Sequence, residues 1–187
     1  TERTVIEEGV FRPMISWFVN EGEYSFNRIH NHGTWTVASV GMAGYVLGDM
    51  DLVEMALYGT DKSGEGGFMR QLDELFSPDG YYMEGPYYAR YAIWPFFYFA
   101  EAIERNAPER GIYQHRGGIL EKALYATVQT AWPDGTLPAL NDGSLHMDVA
   151  APGVVLVVST SMSVNVTKSL SILSAQLASG VPSCRIV

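Results

Sequence analysis

An all-α fold of stacked antiparallel helix pairs, as in an α/α toroid, is what this 187-residue sequence predicts, on three observations. Apolar residues recur at helical spacing through most of the chain. The strand signal, period-2 alternation with β-branched residues, is absent before about residue 150. Two Pro-Asp-Gly turns, "SPDGYY" (77–82) and "WPDGTL" (132–137), each follow a helical run, so a helix–turn–loop–helix unit repeats.

The elements follow in order. Thr4 to Phe18 reads as an amphipathic helix through Val5, Ile6, Val10, Phe11, Met14 and Phe18, with Pro13 as a kink point. Gly33 to Leu47 is the next helix, and Ala38, Gly41, Ala43 and Gly44 prepare it for close contact with a neighbour. Leu52 to Leu57 extends or follows it. Phe68 to Phe76 is helical through Met69, Leu72, Leu75 and Phe76. Pro86 to Ile103 is the most apolar helix and is expected near the middle of the fold. Ile119 to Trp132 is the last, through Leu120, Ala123, Leu124, Thr127 and Val128. Residues 154–187 are rich in Ser and Val with almost no acidic residues. That shift marks a boundary: 1–153 reads as one helical domain and 154–187 as an atypical tail, non-native or truncated, with no function assigned.

Composition narrows the function. The chain is 47% hydrophobic with eleven Tyr and four Trp, a globular balance whose aromatics suit sugars and other wet ligands. The net charge is −9, and Lys and Arg are scattered singly, so no nucleic-acid partner is expected. An anionic substrate would need a locally donor-rich site. Cys184 is the single cysteine, so no internal disulfide forms. The richest apolar run, "AIWPFFYFA", is too short for a membrane span and contains Pro95. The chain starts at Thr1 without a signal peptide and reads as part of a longer protein.

Three motifs carry chemistry. In "NRIHNHGTW" (27–35), Asn31 is a candidate N-cap and His32 falls in the first helical turn. Helix N-termini offer free N–H groups and a positive dipole end, so they hold anions. A cap and a packed histidine would account for the same residues. His30 and His32 form His-x-His, but in a helix they would point apart and no third ligand is near, so no metal is expected. In "DGYYMEGPYYARY" (79–91), Gly85–Pro86 starts a helix, which places Tyr87 and Tyr88 in its first turn, with Arg90 next to them. A phenol is a poor base unless positive potential favours its anion. An aromatic core helix is the alternative. Glu84 is an acid, a base, a cap or, the favoured expectation, an ion-pair partner of Arg90. In "LPALNDG" (137–143), Asn141 and Asp142 suit a turn, and Glu84 with Asp142 would suit inverting glycoside hydrolysis. "GEGG" (64–67) lacks the Lys-Ser/Thr of a phosphate-binding loop.

In this order the motifs "NHGTW", "DGYYMEGPYYARYA" and "LPALNDG" resemble those of the alginate lyases of the heparinase II/III-like superfamily, closest to the oligoalginate lyases of polysaccharide lyase family 17. The resemblance covers about residues 5 to 155. It implies an α/α toroid followed by a β-sandwich, with the site between them, and exolytic β-elimination on alginate oligosaccharides. It implies that Asn31 and His32 neutralise the substrate carboxylate and that Tyr88, with Tyr87 as fallback, exchanges protons at the scissile linkage. Substrate contacts are expected from Tyr87, Arg90, Glu84, His30, Trp35 and Asn141. The family's partner tyrosine, further histidines and structural metal lie in the β-sandwich, which this length cannot contain. The toroid is therefore expected to be incomplete, no cofactor is expected in this piece, and the piece is expected to be inactive alone. The resemblance also suggests a periplasmic or secreted bacterial protein.

Other readings fit the same residues. A lyase on another polyuronate, such as a glycosaminoglycan, would grip a carboxylate in the same way, and products from each polymer would separate the two. A non-catalytic helical carbohydrate-binding domain would bind without forming an unsaturated product. A glycosidase using Glu84 and Asp142 would form reducing ends without one.

Overall fold

The computed structural model describes residues 1–21, 26–141 and 143–148. Among these the chain is mostly helical and forms no strand, so the predicted all-α class holds. The boundary expected at 153–154 and the tail lie outside the described residues.

The N-terminal run is longer than the spacing predicts and is not one kinked α-helix. It joins α1 (Glu2–Ile6), a π-helical turn (Glu7–Phe11), α2 (Arg12–Ser16) and a second π-helical turn (Trp17–Glu21). Pro13 sits in the first turn of α2, where its missing N–H costs little. The wider turn before it absorbs the lost bond without leaving helical backbone angles. Val5, Ile6, Val10 and Met14 of the predicted stripe are exposed, whereas Phe11 and Phe18 pack partly buried against the core and Ile15 is buried in it.

Next come α3 (Asn31–Leu47) and α4 (Met50–Tyr58). Gly48 ends α3 in the left-handed region, and its N–H and that of Asp49 return to the Tyr45 and Gly44 carbonyls. Asp49 then caps α4 by accepting from the Leu52 N–H. Arg12 donates to Asp49 at 2.7 Å, which ties the N-terminal run to this corner and holds the carboxyl below its usual range. α5 (Gly67–Glu74), α6 (Pro86–Asn106) and α7 (Ile119–Gln129) complete the set, with short 3-10 turns at Pro108–Arg110 and Ile112–Gly117.

The small residues of α3 act as expected. A Cβ on Gly41 would fall within the Phe99 ring, and one on Gly44 would press on Val53, so α6 and α4 approach the α3 backbone closely. α6 is central, with Phe96 and Phe99 fully buried and Pro95 accommodated inside the helix. The rings of Phe68, Phe76, Phe96 and Phe99 make a chain of tilted and edge contacts at 4.9–5.4 Å, favoured geometries for aromatic pairs.

α3 and α6 run in the same direction. Trp35 meets Tyr91 near the two N-termini, and Gly41 and Tyr45 meet Phe99 further along. Both positive dipole ends therefore lie at one end of the fold. The two Pro-Asp-Gly turns also close alike. Gly80 N–H bonds the Ser77 carbonyl and Ser77 N–H bonds the Tyr81 carbonyl; Gly135, Trp132 and Thr136 repeat this pattern.

Candidate functional site

Where α3 begins is decided by His30. Its backbone is extended, and its ring Nδ1 accepts from the His32 N–H at 3.1 Å. The expected cap, Asn31, is instead the first helical residue. The extended backbone at His30 also corrects the expectation that the two imidazoles diverge. Their ring centroids lie 4.9 Å apart in an edge contact. Asn31 points to the buried side, only 5% exposed, with Oδ1 buried and unpartnered, whereas His32 is exposed.

Burial lowers the His30 pKa first, and nearby His32 and Arg28 add to that against the opposing pull of Glu84. A neutral ring is also what the cap needs, since Nδ1 must accept. With the folded value below the ordinary 6.5, this contribution to stability is complete above about pH 6.5 and is lost as pH falls through the folded value. His30→Asn keeps a capping side chain without a titrating group. Its thermal midpoint is expected to fall less steeply than the parent's below pH 6.5, as read by unfolding scans across pH.

Gly85, at a positive φ of 88°, delivers the chain into α6, and Pro86 occupies the first turn as predicted. Asn141 Nδ2 donates to the Glu84 carbonyl at 2.7 Å, so the third motif is tied to the second. The result is an open cleft of about 530 Å³ lined by His30, Asn31, His32, Met83, Glu84, Tyr88 and Asn141. All three motifs meet there.

Three expected members, Tyr87, Arg90 and Trp35, lie elsewhere. Tyr87 packs against Leu137 and Met147, and the Arg90 guanidinium sits over its ring at 4.5 Å. Tyr87 and Tyr88 touch edge to face at 5.3 Å, but only Tyr88 lines the cleft. The favoured Glu84–Arg90 pair does not form. Glu84 accepts from the Tyr82 hydroxyl at 3.1 Å, and the cation–π contact holds Arg90 on Tyr87. Trp35 belongs to a second, more apolar cleft of about 400 Å³, which it lines with His32, Trp17 and Tyr91 among others. His32 is the wall between the two clefts.

Asp142, the other half of the glycosidase reading, lies outside the described residues. No group of three or more potential metal-ligating side chains occurs among the described residues. No helix among them is long and apolar enough to cross a membrane. Sequence reasoning missed Met83, whose turn position carries no chemical signal, and Tyr82. Burial and the adjacent Glu84 carboxylate push the Tyr82 phenol far above its ordinary value, so it stays protonated and a donor.

The sequence has counterparts. The family described as alginate lyase matches residues 2–134. An exo-oligoalginate lyase of Saccharophagus degradans is 57% identical over 141 residues, which is 75% of this chain and 19% of that protein. An alginate lyase of Stenotrophomonas maltophilia is 52% identical over 148 residues, 79% of this chain and 20% of that protein. The chain thus spans about a fifth of the length of the curated relatives it matches.

Proposed function

Since the chain belongs to the alginate lyase family, we propose that it is the part of a polysaccharide lyase that grips the uronate carboxylate and protonates the leaving group. The proposed reaction is exolytic β-elimination on alginate oligosaccharides, releasing unsaturated uronate. One observation carries this reading: two helix N-termini, one bearing Asn31 and His32 and the other Tyr88, open into the same cleft.

The chemistry requires such a pairing. The C5 proton of a uronate is weakly acidic, because the carbanion it leaves is delocalised into the carboxylate. Donors already aimed at that carboxylate stabilise the charge that develops as the proton departs. The Asn31 amide and the His32 ring, on the positive end of α3, supply them. Tyr88, half-buried across the cleft at the positive end of α6, takes the C5 proton on its phenolate oxygen and passes it to O4 as the C4–O4 bond breaks, so the phenolate is regenerated. His30 sets the start of α3. Glu84 and Asn141 form the opposite rim and meet sugar hydroxyls. Arg90, held on Tyr87, and Trp35, on the second cleft, contact neighbouring sugar units.

The test is direct. The full gene product containing residues 1–187 is mixed with alginate oligosaccharides, and the ultraviolet band of the C4–C5 double bond is followed. A rise with unsaturated monomer as the first product is expected. New reducing ends without the band would replace elimination by hydrolysis. Binding without either product would leave a carbohydrate-binding domain.

A further inference from the structure

Behind the cleft lies a polar pair that the reaction does not use. Gln71 on α5 is 0% exposed, and its helix neighbours Phe68 and Leu72 are equally buried. An amide in such surroundings is retained only where its bonding groups are satisfied. Its Oε1 accepts from the Thr34 hydroxyl, which is itself fully buried. Its Nε2 reaches the Arg28 carbonyl in a long 3.5 Å contact. Thr34 lies one turn below Asn31, and its hydroxyl and N–H both lie against the His30 carbonyl, at 3.3 and 3.0 Å. Gln71 thus bridges the first turn of α3 and the segment that enters it. The same segment is clamped upstream, where the Asn27 side chain exchanges two hydrogen bonds with Thr60 at 2.6 and 2.9 Å.

We propose that the buried Gln71–Thr34 pair is a positioning unit: it sets the first turn of α3, and therefore Asn31 and His32, against the incoming 28–30 segment. The inference rests on the reading of Asn31 and His32 as the carboxylate grip. The physical reason for a polar pair here is directional. Apolar packing would fill the same space but would let the first turn rotate or slide, whereas a hydrogen bond between two buried side chains admits one register. A donor aimed at a developing charge loses much of its effect when displaced by a fraction of an ångström.

The discriminating variant is the double substitution Thr34→Val with Gln71→Met in the full gene product. It removes both polar partners and keeps their volumes; it gives up only the long 3.5 Å contact to the Arg28 carbonyl, so thermal stability is expected to stay close to parental. The kcat on alginate oligosaccharides is expected to fall about 10- to 100-fold, with KM changed far less. Thr34→Ser, which keeps the hydroxyl, is expected to stay within about twofold of parental kcat. A stable double variant with parental kcat overturns the inference. His32→Ala separates the two levels. If it is inactive while the double variant is fully active, the grip stands and the positioning role falls; if it is fully active, both fall. Should the double variant not fold, Gln71→Glu decides. A protonated carboxyl reproduces both contacts and an ionised one does not, so kcat of the folded protein should gain a descending limb as pH rises. A profile unchanged from the parent overturns the proposal.

Discussion

Tyr88→Phe is expected to lower kcat on alginate oligosaccharides by about 10²- to 10⁴-fold, the usual worth of a positioned acid or base. KM should change little, because the carboxylate grip is untouched and the ring remains. The melting temperature should move by only a few degrees, since Tyr88 is half-buried at a cleft wall and keeps its packing as Phe. The neighbouring position is the control. Tyr87→Phe retains the ring under the Arg90 guanidinium and the contact with Leu137 and Met147, and its hydroxyl does not line the cleft. It should keep kcat within about threefold. The unsaturated-uronate band, followed for both variants in the full gene product, checks the pair of expectations. Loss at position 87 with retention at 88 would exchange the two roles, and retention at both would remove these two tyrosines from the proton transfer.

What could be read from residues alone was local. Pro86 behind Gly85 marks a helix start by its fixed φ and missing N–H, and α6 begins there. Gly41 and Gly44 announced a close approach, and Phe99 and Val53 make it. The repeated Pro-Asp-Gly turns close with the same hydrogen bonds because the same residue types sit at the same positions. What could not be read depends on partners far along the chain. Asn is a better cap than His by general preference, yet the first turn of α3 is anchored by Gln71 through Thr34, and that anchor leaves His30 at the capping position. The Glu84–Arg90 pair was reasonable by charge. The Tyr82 hydroxyl, two residues before Glu84, took the carboxylate, and the Tyr87 ring took the guanidinium. That α3 and α6 are parallel, so that two positive helix ends share one cleft, is a property of the packing that neither motif carries.

Gly80→Ala is expected to be strongly destabilising. Gly80 sits at φ +93°, where an L side chain is strained by about 1–3 kcal/mol. A Cβ there would also lie 2.4 Å from the Lys122 carbonyl carbon and 2.6 Å from the Ala123 nitrogen. These are backbone atoms at the start of α7, so no side-chain rotation relieves the clash, and overpacking of this kind costs about 1–3 kcal/mol more. A total of about 2–6 kcal/mol lowers the melting temperature by roughly 2–4 °C for each kcal/mol in a domain of this size. Asp79→Ala, one residue earlier, removes only an exposed hydrogen bond from Ser77 and should cost less than about 1 kcal/mol. Thermal unfolding of both variants separates steric exclusion from turn preference. The effect should reach the cleft as well, because the segment running from this turn carries Tyr82, Glu84 and Gly85 directly into α6 and Tyr88. If α7 and this turn move apart to admit the methyl, only the φ strain of about 1–3 kcal/mol will remain, and the turn does not rest on the α7 backbone in solution. If they do not, the loss of stability and the loss of lyase activity should appear together in the same variant.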